Sequence, residues 1–236
     1  MATLYSFRSS SANGSVGGTS VVVTKPSGAL AGEFLLAFGV IDANVAIATP
    51  AGWTIVGAQQ VNGVVLGLTC WRKKVVQAEA ASWTWTWAGA HNVEVLVACY
   101  TGLQSGAGPT NPLSTTTAAA TTQNAPSQII PDRCNQVAFG VWAAAGAATF
   151  SAPPSGFAID AQAAGTGVAV AVASKSITGI LPSGTGVLSV TSSLSVVSCG
   201  FSMYVRPLFF DVVNTSPVSA NGTAGGVRIT VVVDDI

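Results

Sequence analysis

Apolar and polar positions along the chain repeat mostly with a period of two. Ser82-Trp83-Thr84-Trp85-Thr86-Trp87 alternates strictly, so its three indoles share one face of a strand. Residues 19–25, 33–41, 53–60, 64–75, 82–87 and 93–100 are rich in Val, Ile, Thr and aromatics, each bounded by Gly, Pro or Asn. Val168-Ala169-Val170-Ala171-Val172 alternates larger and smaller apolar side chains, the pattern of a strand buried on both sides. One helix competitor is the alanine-rich 142–148, interrupted by Gly146 and flanked by Gly140 and Thr149. Strands at about ten-residue spacing predict an all-β sandwich or barrel.

The strongest signal is an internal duplication. Pro50-Ala51-Gly52-Trp53-Thr54-Ile55, running on to Gln59, recurs as Pro154-Ser155-Gly156-Phe157-Ala158-Ile159, running on to Gln162. Ala37-Phe38-Gly39-Val40 matches Ala138-Phe139-Gly140-Val141, and Pro26-Ser27 matches Pro126-Ser127. Residues 64–70 parallel 168–174, and 95–103 with Tyr100 parallel 200–208 with Tyr204. Each unit runs an apolar strand into a Pro-x-Gly turn, after which an aromatic opens the next strand. Proline removes a ladder donor and glycine permits the turn. Pro50, Gly52, Pro154 and Gly156 are thus turn residues, while Trp53 and Phe157 are expected to plug the sandwich end. Half a sandwich leaves an apolar face uncovered, so the expectation is a jelly-roll-like two-sheet β-sandwich over 1–208, with halves at about 19–103 and 126–208. Residues 209–236 have no counterpart in the first half and form a C-terminal β-arm. Its strand 227–233 places Val227, Ile229, Val231 and Val233 on one face, as a candidate assembly strand that pairs with a neighbour or closes its own sheet.

Gly32-Glu33-Phe34-Leu35-Leu36-Ala37-Phe38, followed by Pro50-Ala51-Gly52-Trp53-Thr54 and later by Tyr100-Thr101-Gly102, resembles a motif of jelly-roll virion proteins of tailed bacteriophages and prophages. The resemblance covers about 26–208. Glu33 stands where that group more often carries aspartate, and Asp132-Arg133-Cys134-Asn135 where its second copy often carries Pro-x-Asp-Asp. The resemblance implies a structural part of a virus particle, either a capsid decoration (cement) protein or a tail or fibre component.

Composition sharpens this picture. Lys and Arg number nine, Asp and Glu nine, for a net charge of zero and only 8% charged residues. That balance argues against a nucleic-acid or anionic-membrane partner, which needs clustered positive charge. No stretch reaches the roughly 20 apolar residues of a membrane-spanning helix, and the N-terminus lacks the apolar core of a secretory signal. A surface so poor in charge favours self-association, and closed symmetry on a shell suggests a homotrimer bound to the major capsid protein or other virion proteins.

Candidate chemistry is sparse. Cys70, Cys99, Cys134 and Cys199 form no Cys-x-x-Cys pair, so buried free thiols are expected rather than a metal site. His91, the one histidine, lies between two predicted strands as a hairpin residue, and no nucleophile elbow or phosphate loop occurs. Glu79 and Glu94 are the imaginable glycosidase pair, with charged strand ends the plainer reading. Arg72-Lys73-Lys74 reads as a solvated strand end. The expectation is no catalytic residues, no cofactor and no metal. Trp83, Trp85 and Trp87 are core by default; exposed, they would stack on a host glycan and favour a tail or fibre receptor-binding role.

Overall fold

The computed structural model describes residues 5–103, 110–130, 136–177, 183–205, 211–214 and 229–232. The first half supplies β1 (Ser6–Thr24), β2 (Phe34–Ile41), β3 (Thr54–Ile55), β4 (Gln60–Asn62), β5 (Leu66–Lys74) and β6 (Ser82–Thr101). They form one antiparallel sheet in the order β1-β6-β2-β5-β3, with β4 also on β5. The second half supplies β7 (Thr110–Ala125), β8 (Ile129–Ile130), β9 (Gln136–Ala145), β10 (Phe150–Ser151), β11 (Ala158–Ala164), β12 (Val168–Ile177), β13 (Ser183–Gly184) and β14 (Leu188–Val205). Its main sheet runs β10-β14-β9-β12-β11, with β7 on β14, while β8 and β13 pair separately. Each half of the duplication therefore makes one six-stranded sheet. The 142–148 segment is strand through Ala145, because its side chains alternate between two buried faces.

The two sheets close on a shared core through alternate residues. Phe34, Leu36, Phe38 and Val40 of β2 meet Val137, Phe139, Val141 and Ala143 of β9 and Val168, Val170 and Val172 of β12. On β12 the interleaved Ala169, Ala171 and Ala173 face the opposite way and are equally buried. The alternation of large and small residues thus matches two faces of different depth: valines fill the space between sheets, and alanines admit a close outer layer.

That outer layer comes from folding the longest ladders back on themselves. Ser11 Oγ donates to Thr24 O, and Asn13 Nδ2 donates to Val22 O at 2.9 Å, although all four residues belong to β1. On a straight strand Ser11 and Thr24 would stand about 40 Å apart at 3.3 Å per residue. The β1–β6 ladder instead bends where its register slips between Ser15 and Ser20, with Gly17 and Gly89 at φ of 59° and 81°. Beyond the bend, the ribbon of Ser20–Thr24 with Ser82–Trp87 lies over the outer face of its own sheet. In the second half the β7–β14 ladder slips between Thr191 and Val196 and does the same. Gly200, paired with Thr115, has Ala125 Cα 2.7 Å from where its own Cβ would stand. The sandwich is thus flanked on both sides by folded-back ribbons.

The ribbons relocate several aromatics. Trp53 does not plug the sandwich end; it packs on the outer face, 5.1 Å from Trp83 and 5.6 Å from Trp85 between ring centroids. Phe157 occupies the matching outer cluster with Trp142. Both Pro-x-Gly turns close with an i to i+3 bond, Trp53 N to Pro50 O (3.2 Å) and Phe157 N to Pro154 O (2.9 Å), and Gly52 and Gly156 take φ of 79° and 77°. That is the geometry of a type II turn, which wants glycine at its third position. Tyr204 is not the counterpart of Tyr100. Tyr100 points between the sheets opposite Phe34, whereas Tyr204 pairs with Ala138, the position Val97 holds opposite Ala37.

His91 is not a hairpin residue either. Residues 82–101 form one continuous strand by pairing, and His91 sits opposite Gly18 at the ribbon bend. At the C-terminus, β15 (Asp211–Asn214) pairs antiparallel with β16 (Ile229–Val232) as a separate two-stranded ribbon. Ile229 and Val231 lie in β16; Val227 and Val233 lie outside the described residues.

Candidate functional site

The chemistry-bearing side chains gather along the seam where β6 of one sheet faces β11 and β12 of the other. At one end, Tyr100 Oη donates to Asp160 Oδ2 at 2.9 Å and Tyr5 Oη donates to Ser174 Oγ at 3.3 Å. Both bonds cross from the first half to the second. Burial pushes the Tyr100 and Tyr5 phenols and the Asp160 carboxyl upward, so the phenols stay protonated. On the outer face of the same sheet, Glu33 takes Arg8 Nη2 at 2.5 Å, Arg8 Nε at 2.7 Å and Leu30 N at 2.8 Å, and faces Cys99 Sγ at 3.3 Å. The motif acid at 33 is therefore a pin that ties the start of β1 to the entry of β2.

At the other end stands Glu94. It shares the parity of Leu96, Ala98 and Tyr100 and so points between the sheets, with 5% of its surface exposed. Its carboxyl lies against Gly14 of β1 and Gly165 of the β11–β12 turn; in each case Oε2 is the nearest atom to where a Cβ would be. Burial alone raises its pKa to about 7. Nearby, His91 Nδ1 contacts Asp42 Oδ1 at 3.1 Å, and Gly17 N donates to Asn92 Oδ1 at 3.2 Å.

The structure sets apart the two acids singled out by sequence. Glu79 binds Lys73 Nζ at 3.3 Å and accepts from Val76 N at 3.2 Å, while Glu94 has wholly different neighbours. Lys73, in the basic run, also donates to Gly52 O at 3.4 Å across the Pro-x-Gly turn. Lys175 does likewise to Ser155 O at 3.0 Å, with its Nζ 5.8 Å from the Phe157 ring centre. Cys70, Cys99 and Cys199 are buried free thiols, with Cys99 and Cys199 pushed up to about 12. Thiols so reluctant to ionise are poor nucleophiles. Cys134 lies outside the described residues. Among the described residues no group of three or more His, Cys, Asp and Glu side chains is placed to hold a metal ion.

The tryptophan ladder turns inward. Trp83, Trp85 and Trp87 are 6%, 0% and 7% exposed and lie on the inner face of the folded-back ribbon, against its own sheet, where Trp87 Nε1 donates to Gly18 O at 2.9 Å. Stacking on a sugar needs an open indole face, and these three present none. Sequence reasoning missed Asp160, Tyr5 and the seating of Glu94. Parity alone could have found Glu94, since the run of Leu96, Ala98 and Tyr100 assigns its face. The cross-seam bonds depend on which sheets meet and leave no local trace. No family model, curated protein or solved structure matches the chain.

Proposed function

We propose that the chain is a bacteriophage virion structural protein, a capsid decoration (cement) protein without catalysis of its own. The supporting observation is that the motif residues carrying the virion resemblance are framework. Glu33 pins β1, Pro50 and Gly52 form the turn, and Trp53 seals the outer cluster. At the seam, Tyr100 with Asp160 and Tyr5 with Ser174 likewise bond strand to strand. Sparse charge and long Ser/Thr-rich edge strands fit a protein that works through contacts with copies of itself, as a homotrimer, and with the major capsid protein. Burial of the tryptophan ladder removes the feature that favoured a glycan-binding tail or fibre role.

The test is location and copy number. Particles from the strain that encodes the chain are banded on a density gradient, and the chain is quantified against the major shell protein. Hundreds of copies per particle, retained on tailless heads, are expected. Absence from particles overturns the virion reading, and a handful of copies on tails overturns the decoration reading.

A further inference from the structure

Glu94 is costly where it stands. A poorly solvated carboxylate without partners is disfavoured, and Glu94, 5% exposed, makes no hydrogen bond or ion pair with the described residues while its carboxyl oxygens keep some contact with water. Two glycines from different sheets make the room it occupies. A methyl group at Gly14 or at Gly165 would collide with its Oε2, so both backbones close directly on the carboxyl. Gly14 lies in β1 just before the register slip at Ser15–Gly18, where the ladder turns back over the sheet. Gly165 belongs to the β11–β12 turn, whose own bonds are Gly165 N to Val168 O (3.0 Å) and Gly167 N to Gly165 O (2.9 Å).

We propose that Glu94 is a proton-operated latch between the two sheets: neutral, its carboxyl seats between Gly14 and Gly165 and holds the bend of β1 against the β11–β12 turn; ionised, it leaves the seam and frees that bend.

The surroundings contain few rivals for this role. Between Ser9 and Thr24, β1 carries no ionisable side chain, and its Arg8 is held by Glu33. The turn 165–167 is Gly-Thr-Gly, and β12 has no ionisable group before Lys175, which reaches the opposite turn. On β11, Asp160 is bonded to Tyr100 at the far end of the seam, and β2 carries none. The remaining titratable neighbours are His91 and Asp42, which contact each other at 26% and 29% side-chain exposure.

The sign follows from the raised folded value. The closed state binds the proton more tightly than the open state, whose Glu94 has the ordinary value of 4.5. Closure is therefore strongest below pH 4.5 and weakens as pH rises through about 7. If opening restores the ordinary value, the open fraction grows roughly 70-fold between pH 5 and 8.5.

Hydrogen exchange on the full chain, corrected for intrinsic rates, reads this at the Gly17 and Gly165 amides. Protection of both is expected to fall by tens of fold over that pH range, while β9 amides hold. Glu94→Gln keeps the shape and removes the titration, and its protection is expected to stay flat. His91→Gln is expected to keep the wild-type profile. A wild-type profile that is flat, one that persists in Glu94→Gln, or one lost in His91→Gln overturns the proposal. Should Glu94→Gln fail to fold, carboxyl NMR of the wild type decides. A Glu94 midpoint near 7 supports the latch, and one near 4.5 refutes it.

Discussion

Gly200→Ala tests the folded-back ribbon directly. Gly200 sits in β14 between Trp142 and Thr115 on the ladder, and the β7 segment at Asn124 and Ala125 crosses over it. An added methyl would stand 2.7 Å from both Ala125 Cα and the Asn124 carbonyl carbon, and closer still to Asn124 O. All three atoms are backbone, so no side chain can swing away. Relief requires lifting the ribbon, which exposes Leu188 and Val190 on its inner face and the Trp142 indole beneath them. Overpacking of this kind costs about 3 kcal/mol, the upper part of the usual range, because backbone yields less than side chains. In a chain of this size that lowers the melting temperature by roughly 6–12 °C. Gly184→Ala is the control, since its methyl would meet nothing nearer than 3.8 Å. Urea titration followed by tryptophan fluorescence measures both variants. Near-neutral behaviour of Gly200→Ala would refute the ribbon crossing, whatever the sheet order.

Three further outcomes follow from the same packing. Trp85→Ala, which empties a fully buried site among Trp53, Trp71 and Trp83, is expected to cost about 3–5 kcal/mol in urea titration, and an unchanged midpoint would contradict the inward ladder. Asp160 has a raised carboxyl, so its contribution is fully present below the ordinary carboxyl range and declines as pH rises through the raised value; the stability gap between wild type and Asp160→Asn should therefore be more favourable to wild type at pH 4 than at pH 7, and the reverse order in paired urea titrations counts against the buried seam. Cys70, Cys99 and Cys199 should resist a thiol reagent in native buffer and react on unfolding, as mass spectrometry of the labelled peptides would show; rapid native labelling of any of them contradicts their burial.

The alternation of apolar residues determined much of this fold without tertiary help. Phe34–Ile41 and Val168–Ile177 are strands because their side chains must alternate between two buried faces, and the Pro-x-Gly strings form their turns because glycine alone takes the required φ cheaply. The duplication announced two like halves, and each became one sheet. What local pattern lacks is the path of a long ladder in space. Period two places Trp83, Trp85 and Trp87 on a common face, yet whether that face meets solvent, the other sheet or its own sheet depends on a bend at Gly17 and Gly89. The same bend moved Trp53 from the expected sandwich end to the outer cluster. Tyr100 and Tyr204 look alike in sequence but differ in register, and one residue of strand parity decides which face a side chain joins. Tyr5 with Ser174, Tyr100 with Asp160, and Glu94 with Gly165 are more than 50 residues apart in the chain. Only the closing of one sheet on the other brings them together, because hydrogen bonding and desolvation act over a few ångströms of space, irrespective of separation along the sequence.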